Sequence, residues 1–493
     1  MKATLAGLAY STLLQLATPL YMTRLLWRSR REPLYRAHLG ERLGFAALHA
    51  EGTGSTHGAH EVDAAPPLWL HAVSLGETRA AAALIDELRR QRPGLRLLLT
   101  HGTATGRAAG APLLRPGDVQ AWLPYDTPGA VRRFFAAHRP VAGVLMETEI
   151  WPNLLAAAEA AGVPVVLANA RLSERSLRKG ERLAPLLRPA ARRIAAALAQ
   201  TDGDAQRLRA AGVRDVAVLG NLKFDMTPAP ALLAAGRAWR AALHAADPPR
   251  PVVMFAASRE GEEAMLLAAW TRAGAVASSP GAAPSSPGPL GPAAVPASPA
   301  SPASPPAPLL LIVPRHPQRF DEVAALAAAA RTAGGRGLVV VRRSAFGAAA
   351  AAPGPPPAEV LVALRAADVC IGDTLGEMPL FYAAADAALL GGSFAPLGGQ
   401  NLIEAAACGC PVLMGPHTFN FGEAAELALA AGAAERVPDL DTAVARALAW
   451  LGEPAALAAR AVRATAFAAS HRGAAARMAA AVLACFPVED ATP

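Results

Sequence analysis

Short apolar runs recur along this chain, and stretches of helical character separate them. In the first half these runs are "LWLHAV", "LRLLLT", "VQAWLP", "VAGVLM", "VPVVLA" and "VAVLG". The same rhythm resumes after Pro249 with "PVVMFAAS", "PLLLIVP", "GLVVV", "ADVCIG", "DAALLGG" and "PVLMGP". Alternation of this kind is typical of parallel strands connected by helices. We therefore predict an α/β protein with two doubly wound, Rossmann-like domains.

The length of 493 residues supports two domains, because a single hydrophobic core rarely organises a chain this long. We place the first domain at residues 32–235 and the second at 236–493. The Pro/Ala/Ser-rich stretch 275–308 is too poor in large apolar side chains to fold, so we predict a disordered insertion in a surface loop. Residues 50–66 are predicted to form another loop.

The N-terminal segment, residues 1–31, has the character of a membrane anchor. No charged residue occurs from Ala3 to Thr23, and an arginine-rich cluster follows at 24–31. A stretch of this length can span a bilayer, and arginines on its downstream side would keep the following domains in the cytoplasm. Gln15 and Pro19 weaken its apolar character, so a helix lying in the membrane interface is the alternative.

Charge and cysteine content narrow the classes of function. The chain has 47 Lys+Arg against 39 Asp+Glu, a net charge of +8 that suits acidic ligands. It has no zinc-finger or aromatic-and-basic RNA-binding pattern, so we do not predict a nucleic-acid partner. Its four cysteines are too few and too unevenly placed for a disulfide scaffold, which favours a reducing compartment. Cys408 and Cys410 have no second pair nearby, so packing is favoured over metal binding.

Polar motifs follow the predicted strands, where ligands bind in parallel α/β sheets. The first domain has "SLGE", "HGTATG", "ETEIWPN", "NARLS" and "NLKFD" at these positions. Glu77, in "SLGE", lies at a strand-to-helix turn, where a carboxylate can accept a proton from an attacking hydroxyl. The alternative is that Glu77 only stabilises the start of a helix through its charge.

The second domain has "SREGEE", "PRHPQRF", "GDTLGEM" and "GGQNLIEAA" at its strand ends. A helix that begins after the glycine pair of the last motif directs free N–H groups toward a phosphate. Glu404 could accept hydrogen bonds from a ribose, whereas Asn401 could simply cap the helix. Arg315 and His316 are suitable phosphate donors, and a helix-start cluster between two prolines is the less favoured alternative. These motifs together predict a nucleotide site.

The motifs, in this order, resemble those of the bacterial 3-deoxy-D-manno-octulosonic acid (Kdo) transferases of lipopolysaccharide synthesis. The resemblance covers roughly residues 1–270 and 309–485. It implies the GT-B fold, two Rossmann-like domains facing a cleft, with an N-terminal membrane helix. It also implies an inner-membrane location with the catalytic domains on the cytoplasmic side. The motifs that carry it are "HAVSLGE", "LPYD", "ETEIWPN", "NARLSERS", "GNLKFD", "PRHPQRF", "GDTLGEM" and "GGSFAPLGGQNLIEAAACGCPVLMGP".

The resemblance also implies the reaction. Kdo would pass from CMP-Kdo to the 6′ hydroxyl of a tetra-acylated lipid A precursor, with inversion, without a metal and without a cofactor besides the donor. Glu77 corresponds to the general base. The loop "HGTATG", residues 101–106, is a loose version of the family's pattern and leaves its acceptor contacts open. The residues that correspond to CMP-Kdo contacts are Arg315, His316, Leu375, Gly376, Glu377, Asn401, Leu402, Ile403 and Glu404.

Three further residues are candidates for substrate binding. The carboxylate of Kdo needs a cation, for which Lys223 or Arg171 is suitable, and Glu149 lies in "ETEIWPN". Two other functions stay open. One is a different GT-B lipid glycosyltransferase, or an epimerase, that uses a UDP sugar; the membrane segment and "ETEIWPN" argue against it. The other is a non-catalytic sugar-nucleotide sensor, which the presence of Glu77 disfavours.

Overall fold

The chain folds into two compact units, each built on a parallel seven-stranded sheet. This confirms the predicted α/β class. The first unit comprises Met1–Met226 and His471–Pro493, and the second comprises Thr227–Ser470. The predicted insertion 275–308 and the predicted loop 50–66 fall almost wholly outside the described residues. The computed structural model describes residues 2–30, 32–45, 65–274 and 307–486.

The first sheet has the strand order β3-β2-β1-β4-β5-β6-β7. Its central strands are buried along their whole length, because helices cover both faces of a parallel sheet. The order reverses between β1 and β4, which is where such sheets bind ligands. The strands are β1 Leu68–His71, β2 Leu97–His101, β3 Val119–Trp122, β4 Ala142–Met146, β5 Val165–Ala170, β6 Ala196–Ala199 and β7 Val216–Val218.

Hydroxyl side chains define the starts of several helices in this unit. Ser74, Thr103, Ser173 and Thr201 each accept a hydrogen bond from the backbone N–H three residues later. Such N-caps satisfy donors that the first helical turn leaves without a partner. The helices are α1 Lys2–Arg28, α2 Leu75–Gln91, α3 Ala104–Gly110, α4 Pro128–His138, α5 Pro152–Ala160, α6 Glu174–Glu181, α7 Ala184–Ala191 and α8 Asp202–Ala211.

Helix α1 has one side against the first unit and another that is exposed. On the packed side, the Tyr10 hydroxyl donates to Asp126 Oδ2 at 2.8 Å, and the rings of Tyr21 and Tyr125 stack with their centres 6.0 Å apart. A helix at this position confirms the helical part of the N-terminal prediction. The exposed apolar side chains of α1 are Leu5, Leu8, Leu13, Leu16, Leu20, Leu26 and Trp27.

Within the described part of the chain, no helix combines the length and the apolar character needed to cross a membrane. The predicted transmembrane helix is therefore not confirmed, and the association of α1 with a membrane stays a prediction.

The second sheet has the order β10-β11-β9-β8-β12-β13-β14. Its strands are β8 Val252–Ser258, β9 Leu309–Pro314, β10 Val340–Arg342, β11 Val369–Ile371, β12 Ala387–Leu390, β13 Val412–Met414 and β14 Ala434–Arg436. Its helices are α9 Pro230–His244, α10 Glu262–Arg272, α11 Phe320–Ala329, α12 Ala358–Ala366, α13 Met378–Ala384, α14 Leu402–Ala407, α15 Gly422–Ala430, α16 Leu440–Leu451 and α17 Pro454–Ser470.

The boundary between the units differs from the predicted one at 235/236, which would cut α9 in two. Helix α9 packs entirely in the second unit. A Cβ at Gly236 would lie 2.2 Å from the Leu380 carbonyl oxygen, so α9 and α13 touch through their backbones. The Trp239 indole N–H donates to the Ala350 carbonyl at 3.0 Å. The boundary between the units therefore lies between Met226 and Thr227.

The C-terminal end of the chain returns to the first unit, so its predicted place in the second domain was wrong. Helix α18, Ala474–Ala484, buries Met478 and Val482 in the same core as Leu84 of α2. The Asp225 carboxylate caps the first turn of α18. Its Oδ1 accepts from Gly473 N at 2.5 Å and its Oδ2 accepts from Ala475 N at 2.7 Å. The apolar pattern of α18 predicts a helix but does not say which core the helix completes.

We expect Asp225→Ala to destabilise the first unit by roughly 1–2 kcal/mol, the usual cost of losing an N-terminal cap. Urea unfolding of the full chain measures this change. Asp225→Asn keeps an acceptor oxygen and should lose less. Equal unfolding midpoints for the wild type and Asp225→Ala would contradict a stabilising role for the contact with α18.

Candidate functional site

Glu77 is fixed at the turn between β1 and α2 by a reciprocal set of hydrogen bonds. Its Oε2 accepts from Val73 N at 2.8 Å, and its Oε1 accepts from the Ser74 hydroxyl at 2.9 Å. In return, Glu77 N donates to Ser74 Oγ at 3.4 Å. This is a variant of the capping box, in which the carboxylate accepts from the N–H of the residue before the cap, and it stabilises the start of α2 and holds the carboxylate in one orientation. Both sequence interpretations of Glu77 therefore stay compatible with its geometry.

The surroundings of Glu77 favour its proton-accepting role. Partial burial raises the pKa of its carboxyl group, while the hydrogen bonds from Val73 and Ser74 oppose that rise. The nearby charge of Glu147 raises the pKa further, and Lys223 lowers it. A carboxylate with a raised pKa is a better general base near neutral pH.

Glu147, which directly follows β4, has two cations as neighbours. Its Oε1 lies 3.7 Å from Lys223 Nζ, and its Oε2 lies 3.9 Å from Arg171 Nε. Its φ of 58° is in the left-handed region, which a residue with a Cβ rarely adopts and which is common at functional sites. The sequence argument selected Glu149 in this motif and missed Glu147. Its place immediately after a buried strand was the available signal.

Lys223 is positioned by amides from neighbouring turns. Asn221 Oδ1 accepts from Lys223 N at 2.9 Å, and Asn169 Oδ1 accepts from Leu222 N at 3.0 Å. Burial lowers the pKa of the Lys223 ammonium, and the carboxylate of Glu147 counteracts that effect. Lys223 and Arg171, both predicted to bind substrate, are thus brought together by Glu147.

Glu149 completes this group of side chains. The Trp151 indole N–H donates to Glu149 Oε2 at 2.5 Å. Burial raises the pKa of Glu149 to about 7, with Trp151 opposing the rise and the charges of Glu77 and Glu147 adding to it. The acid–base cluster of the first unit comprises Glu77, Glu147, Glu149, Lys223 and Arg171. It can accept a proton from a hydroxyl and offers cations to an anionic substrate.

The loop 101–106 is tied to the same turn. Thr103 Oγ1 donates to the Val73 carbonyl at 3.0 Å, while Thr103 also caps α3. The loop therefore supports the backbone that holds Glu77. Its predicted contacts with an acceptor stay a prediction.

In the second unit, basic side chains gather beyond β8 and β9. Arg315 lies directly after β9 and is exposed. Its backbone N–H donates to the Ser258 carbonyl at 3.0 Å. The pKa of His316 is lowered by burial and then by the charges of Arg259 and Arg315. Arg259, in "SREGEE", was not among the predicted site residues. Its position at the end of a neighbouring strand could have identified it.

The last two carboxylates of "SREGEE", Glu262 and Glu263, make structural contacts within the second unit. Glu262 is buried and accepts from the backbone N–H groups of Gly392 at 2.7 Å and Phe394 at 3.2 Å. Glu263 is also buried and pairs with Arg319 at 2.6 Å. Glu262 therefore shapes the loop after β12, whereas Glu263 fixes Arg319 in the segment after β9.

The motif "GDTLGEM" combines an open backbone with an engaged carboxylate. Leu375 is 75% exposed, and Gly376 has a φ of 82° with open space around it. Glu377 accepts from Thr374 Oγ1 at 2.5 Å and from Arg343 Nη2 at 3.0 Å. These bonds fix Glu377 at the start of α13.

Asn401 caps α14 as one interpretation predicted, because its Oδ1 accepts from Ile403 N at 3.2 Å. Leu402 and Ile403 are each 1% exposed, so their side chains belong to the core and only their backbone could contact a ligand. Glu404 is half-buried in the first turn. Helix α14 has only 6 residues, so its macrodipole is weak.

Gly398 meets a packing constraint within its own loop. Its φ is 91°, and a Cβ there would lie 2.4 Å from Asn420 Nδ2. Asn420 in turn donates to the Leu397 carbonyl at 2.9 Å. Gly398 is therefore required so that the loop can pack on Asn420.

The cysteines agree with the packing interpretation. All four are free, and Cys408 and Cys410 are buried. Burial raises the pKa of the Cys408 thiol to about 12, which disfavours the thiolate that a metal would require. Among the residues that the structure describes, no group of three or more His, Cys, Asp or Glu side chains is placed to hold a metal ion.

Two α/β units, each built on a parallel seven-stranded sheet, resemble the GT-B fold. The solved structure of UDP-GlcNAc 2-epimerase from Neisseria meningitidis supports this fold. It is 13% identical to this chain, with a TM-score of 0.51, and the match covers 85% of this chain and 99% of that one.

Sequence comparison then identifies the family. The 3-deoxy-D-manno-octulosonic acid transferase of Bordetella pertussis is 49% identical over 83% of this chain and 85% of its own length. The enzyme of the same name from Haemophilus influenzae is 28% identical over 84% and 83%. Residues 37–226 match the family described as 3-Deoxy-D-manno-octulosonic-acid transferase (kdotransferase). The chain belongs to the Kdo transferase family of glycosyltransferases, which confirms the resemblance.

We expect Glu149→Gln to stabilise the protein more at pH 8 than at pH 5. The pKa of Glu149 rises from 4.5 to about 7 on folding, so its contribution to stability is present below pH 4.5 and is lost as the pH rises through 7. Glutamine does not ionise, so the variant avoids this pH-dependent loss of folding free energy, which we put at roughly 1–3 kcal/mol.

Thermal melting at both pH values measures this effect. Glu174→Gln is the control, because the Glu174 side chain is 73% exposed and its ion pair is with the exposed Arg178. A Glu149→Gln protein whose melting temperature follows the wild type from pH 5 to pH 8 would show that Glu149 is not perturbed.

Proposed function

We propose that this chain transfers Kdo from CMP-Kdo to the 6′ hydroxyl of a tetra-acylated lipid A precursor. The transfer inverts the anomeric centre, needs no metal and occurs at the cytoplasmic face of the inner membrane. The observation that carries the proposal is the acid–base cluster at the reversal point of the first sheet. The Kdo transferases to which this chain is similar supply the transferred group, and the sequence resemblance supplies the donor and acceptor.

Glu77 is the general base in this proposal. An inverting displacement requires one base and a stabilised leaving group. The capping box holds the Glu77 carboxylate still, and its raised pKa suits a proton acceptor. A hydroxyl of the acceptor would lose its proton to Glu77 as the hydroxyl oxygen bonds to the anomeric carbon of Kdo and the bond to CMP breaks.

The cations of the cluster bind the anionic sugar. Lys223 Nζ and Arg171 Nε lie 3.7 and 3.9 Å from the carboxylate oxygens of Glu147. We assign both cations to the Kdo carboxylate, with Glu147 keeping them in place. Glu147 acts as a positioning residue in this scheme.

The basic side chains of the second unit bind the nucleotide. Arg259, Arg315 and His316 lie at the ends of adjacent strands and can donate to the phosphate of CMP. Their charge would stabilise the leaving phosphate as the glycosidic bond breaks. The backbone at Leu375 and Gly376 and the carboxylate of Glu404 are the remaining donor contacts that we propose.

Helix α1 supports a lipid acceptor. Its exposed leucines form an apolar surface, and its C-terminal part is followed by arginines. Apolar and basic residues in this arrangement favour an interfacial helix on an anionic membrane. The acceptor would then be reached without leaving the membrane surface.

Glu77→Gln should lower turnover by a factor of roughly 10²–10⁴ and leave the KM for CMP-Kdo nearly unchanged. The glutamine carbonyl oxygen can still accept from Val73 N, and its amide can donate to Ser74 Oγ, so the turn should keep its fold. Purified enzyme, CMP-Kdo and lipid A precursor, with products weighed by mass spectrometry, provide the assay.

Ser74→Ala is the matched control for Glu77→Gln, since it removes the capping partner and leaves the carboxylate. We expect it to cost far less activity. Near-normal turnover of Glu77→Gln would exclude Glu77 as the base. Transfer from a UDP sugar and none from CMP-Kdo, in the same assay, would overturn the proposed donor.

Glu404→Ala should raise the KM for CMP-Kdo about five- to a hundredfold, the equivalent of roughly 1–3 kcal/mol for a lost hydrogen-bonding partner. The KM for the lipid acceptor should barely change. Melting curves must show a folded protein, because Glu404 lies in the first turn of α14. A folded Glu404→Ala enzyme with normal KM for CMP-Kdo and weakened lipid affinity would place the residue at the acceptor.

A further inference from the structure

Strand β5 departs from regular geometry at Asn169, its next-to-last residue. The φ of Asn169 is 52°, in the left-handed region. The register between β5 and β6 shifts between Leu167 and Ala170, so β5 has one residue more than β6 over this stretch. Bulges of this kind are common beside active sites, where they redirect a side chain. Asparagine adopts the left-handed conformation more readily than most residues that have a Cβ, so it suits this bulge.

The side chain of Asn169 holds the turn that carries Lys223. Asn169 is 0% exposed, and its Oδ1 accepts from Leu222 N at 3.0 Å. Lys223 is the next residue, and its Nζ lies 3.7 Å from Glu147 Oε1. The buried amide therefore fixes the backbone from which the Lys223 side chain extends toward the carboxylate.

A second set of hydrogen bonds joins Asn169 to the same turn. Gln200 Nε2 donates to the Asn169 carbonyl at 2.9 Å, and Gln200 Oε1 accepts from Asn221 Nδ2 at 2.9 Å. Asn221 Oδ1 in turn accepts from Lys223 N at 2.9 Å. We call Asn169, Gln200 and Asn221 the amide network. Linked hydrogen bonds in a buried place reinforce one another and make the turn rigid.

The bulge also holds the other charged members of the acid–base cluster. The carbonyl of Ala168, the residue before Asn169, accepts from Glu147 N at 2.9 Å. Arg171 lies two residues after Asn169, and its Nε is 3.9 Å from Glu147 Oε2. Thr148 Oγ1 donates to the Arg171 carbonyl at 2.5 Å. One short segment of β5 therefore sets the relative positions of the carboxylate and both cations.

We propose that Asn169 is a positioning residue that holds Lys223 beside Arg171, so that both cations reach one carboxylate on the donor sugar. The proposal rests on the proposed function, because that function assigns these cations to the Kdo carboxylate. A lysine ammonium is carried on a long, flexible stem, so it is placed accurately only where its backbone is fixed. Loss of the Asn169 amide should therefore weaken recognition of the sugar and leave recognition of the nucleotide intact.

Asn169→Gly tests this proposal in the full chain. Glycine adopts a positive φ without strain, so the variant keeps the bulge and loses only the amide. We expect the KM for CMP-Kdo to rise about ten- to a hundredfold, because small displacements of a substrate-binding group are costly. The inhibition constant of CMP should not change, since CMP lacks the Kdo carboxylate. Initial rates of Kdo transfer, with and without CMP, measure both constants.

Two results would overturn the proposal. One is a folded Asn169→Gly enzyme with an unchanged KM for CMP-Kdo. The other is an equal weakening of CMP and CMP-Kdo, which would show a general structural defect. Arg139→Gly is the matched control, because Arg139 also has a left-handed φ, of 43°, and is exposed at the end of α4. We expect it to leave both constants unchanged, and a rise in KM equal to that of Asn169→Gly would contradict the specific role of Asn169.

Asn169→Ala separates the amide from the backbone conformation. Alanine removes the same amide but opposes the left-handed φ. We expect Asn169→Ala to raise the KM for CMP-Kdo at least as much as Asn169→Gly. Normal kinetics of Asn169→Gly beside impaired kinetics of Asn169→Ala would assign the effect to the bulge alone and overturn the role of the side chain.

Gln200→Ala gives a second test that leaves Asn169 in place. Gln200 is only half-buried, so its loss disturbs the core less. We expect the KM for CMP-Kdo to rise about two- to tenfold, the usual worth of a hydrogen bond, again with CMP unaffected. This variant decides the proposal if the Asn169 variants do not fold, and an unchanged KM would then overturn it.

A double-mutant cycle with Lys223→Met shows whether Asn169 acts through Lys223. Adding Asn169→Gly to Lys223→Met should cause no further rise in the KM for CMP-Kdo, and independent, multiplying effects would overturn the proposal. The same cycle separates this inference from the proposed function. An unchanged KM in Lys223→Met defeats the assignment of Lys223 to the Kdo carboxylate. A raised KM in Lys223→Met beside a normal KM in Asn169→Gly defeats the inference about Asn169 alone.

Discussion

Burial of the central strands on both faces is the constraint on which the rest of this structure depends. A parallel sheet covered by helices favours apolar side chains along its strands, so most polar groups lie at or beyond the strand ends. In the first unit, the ends of β1 and β4 carry Glu77 and Glu147, and these strands are direct neighbours. In the second unit, β8 and β9 are neighbours and end at Arg259 and Arg315. The candidate site residues of both units therefore lie just beyond the ends of neighbouring strands.

Several polar residues at these ends serve the fold as well as the site. Glu77 closes a capping box and, in the proposed mechanism, takes the proton of the acceptor. Glu262 shows the purely structural case, since its carboxylate binds backbone N–H groups of the loop after β12. Glu147 lies between these cases, because its charge holds two cations that a substrate can also use. The hydrogen-bond partners of a carboxylate near a site therefore distinguish a structural role from a functional one. The sequence alone does not show those partners.

The N-terminal helix links this chemistry to the proposed lipid acceptor. Tyr10 and Tyr21 attach α1 to the first unit, while the leucines on its other side are exposed. One helix thus presents an apolar surface outward while its other side is fixed to the unit that contains Glu77. This arrangement suits a substrate that is partly aliphatic and partly sugar.

The amino-acid sequence by itself determined the class of fold, most of the strands and the family, because apolar periodicity and short ordered motifs are local properties. It also placed Glu77 at a strand-to-helix turn and Asn401 at a cap, since both depend on a few adjacent residues. Only the tertiary structure decided that α18 completes the first core, that Glu147 pairs with Lys223 and Arg171, and that Gly398 makes room for Asn420. The physical reason is distance along the chain. These contacts join residues that are far apart in sequence, and a pattern read over one helix or strand carries no information about which surface it will meet.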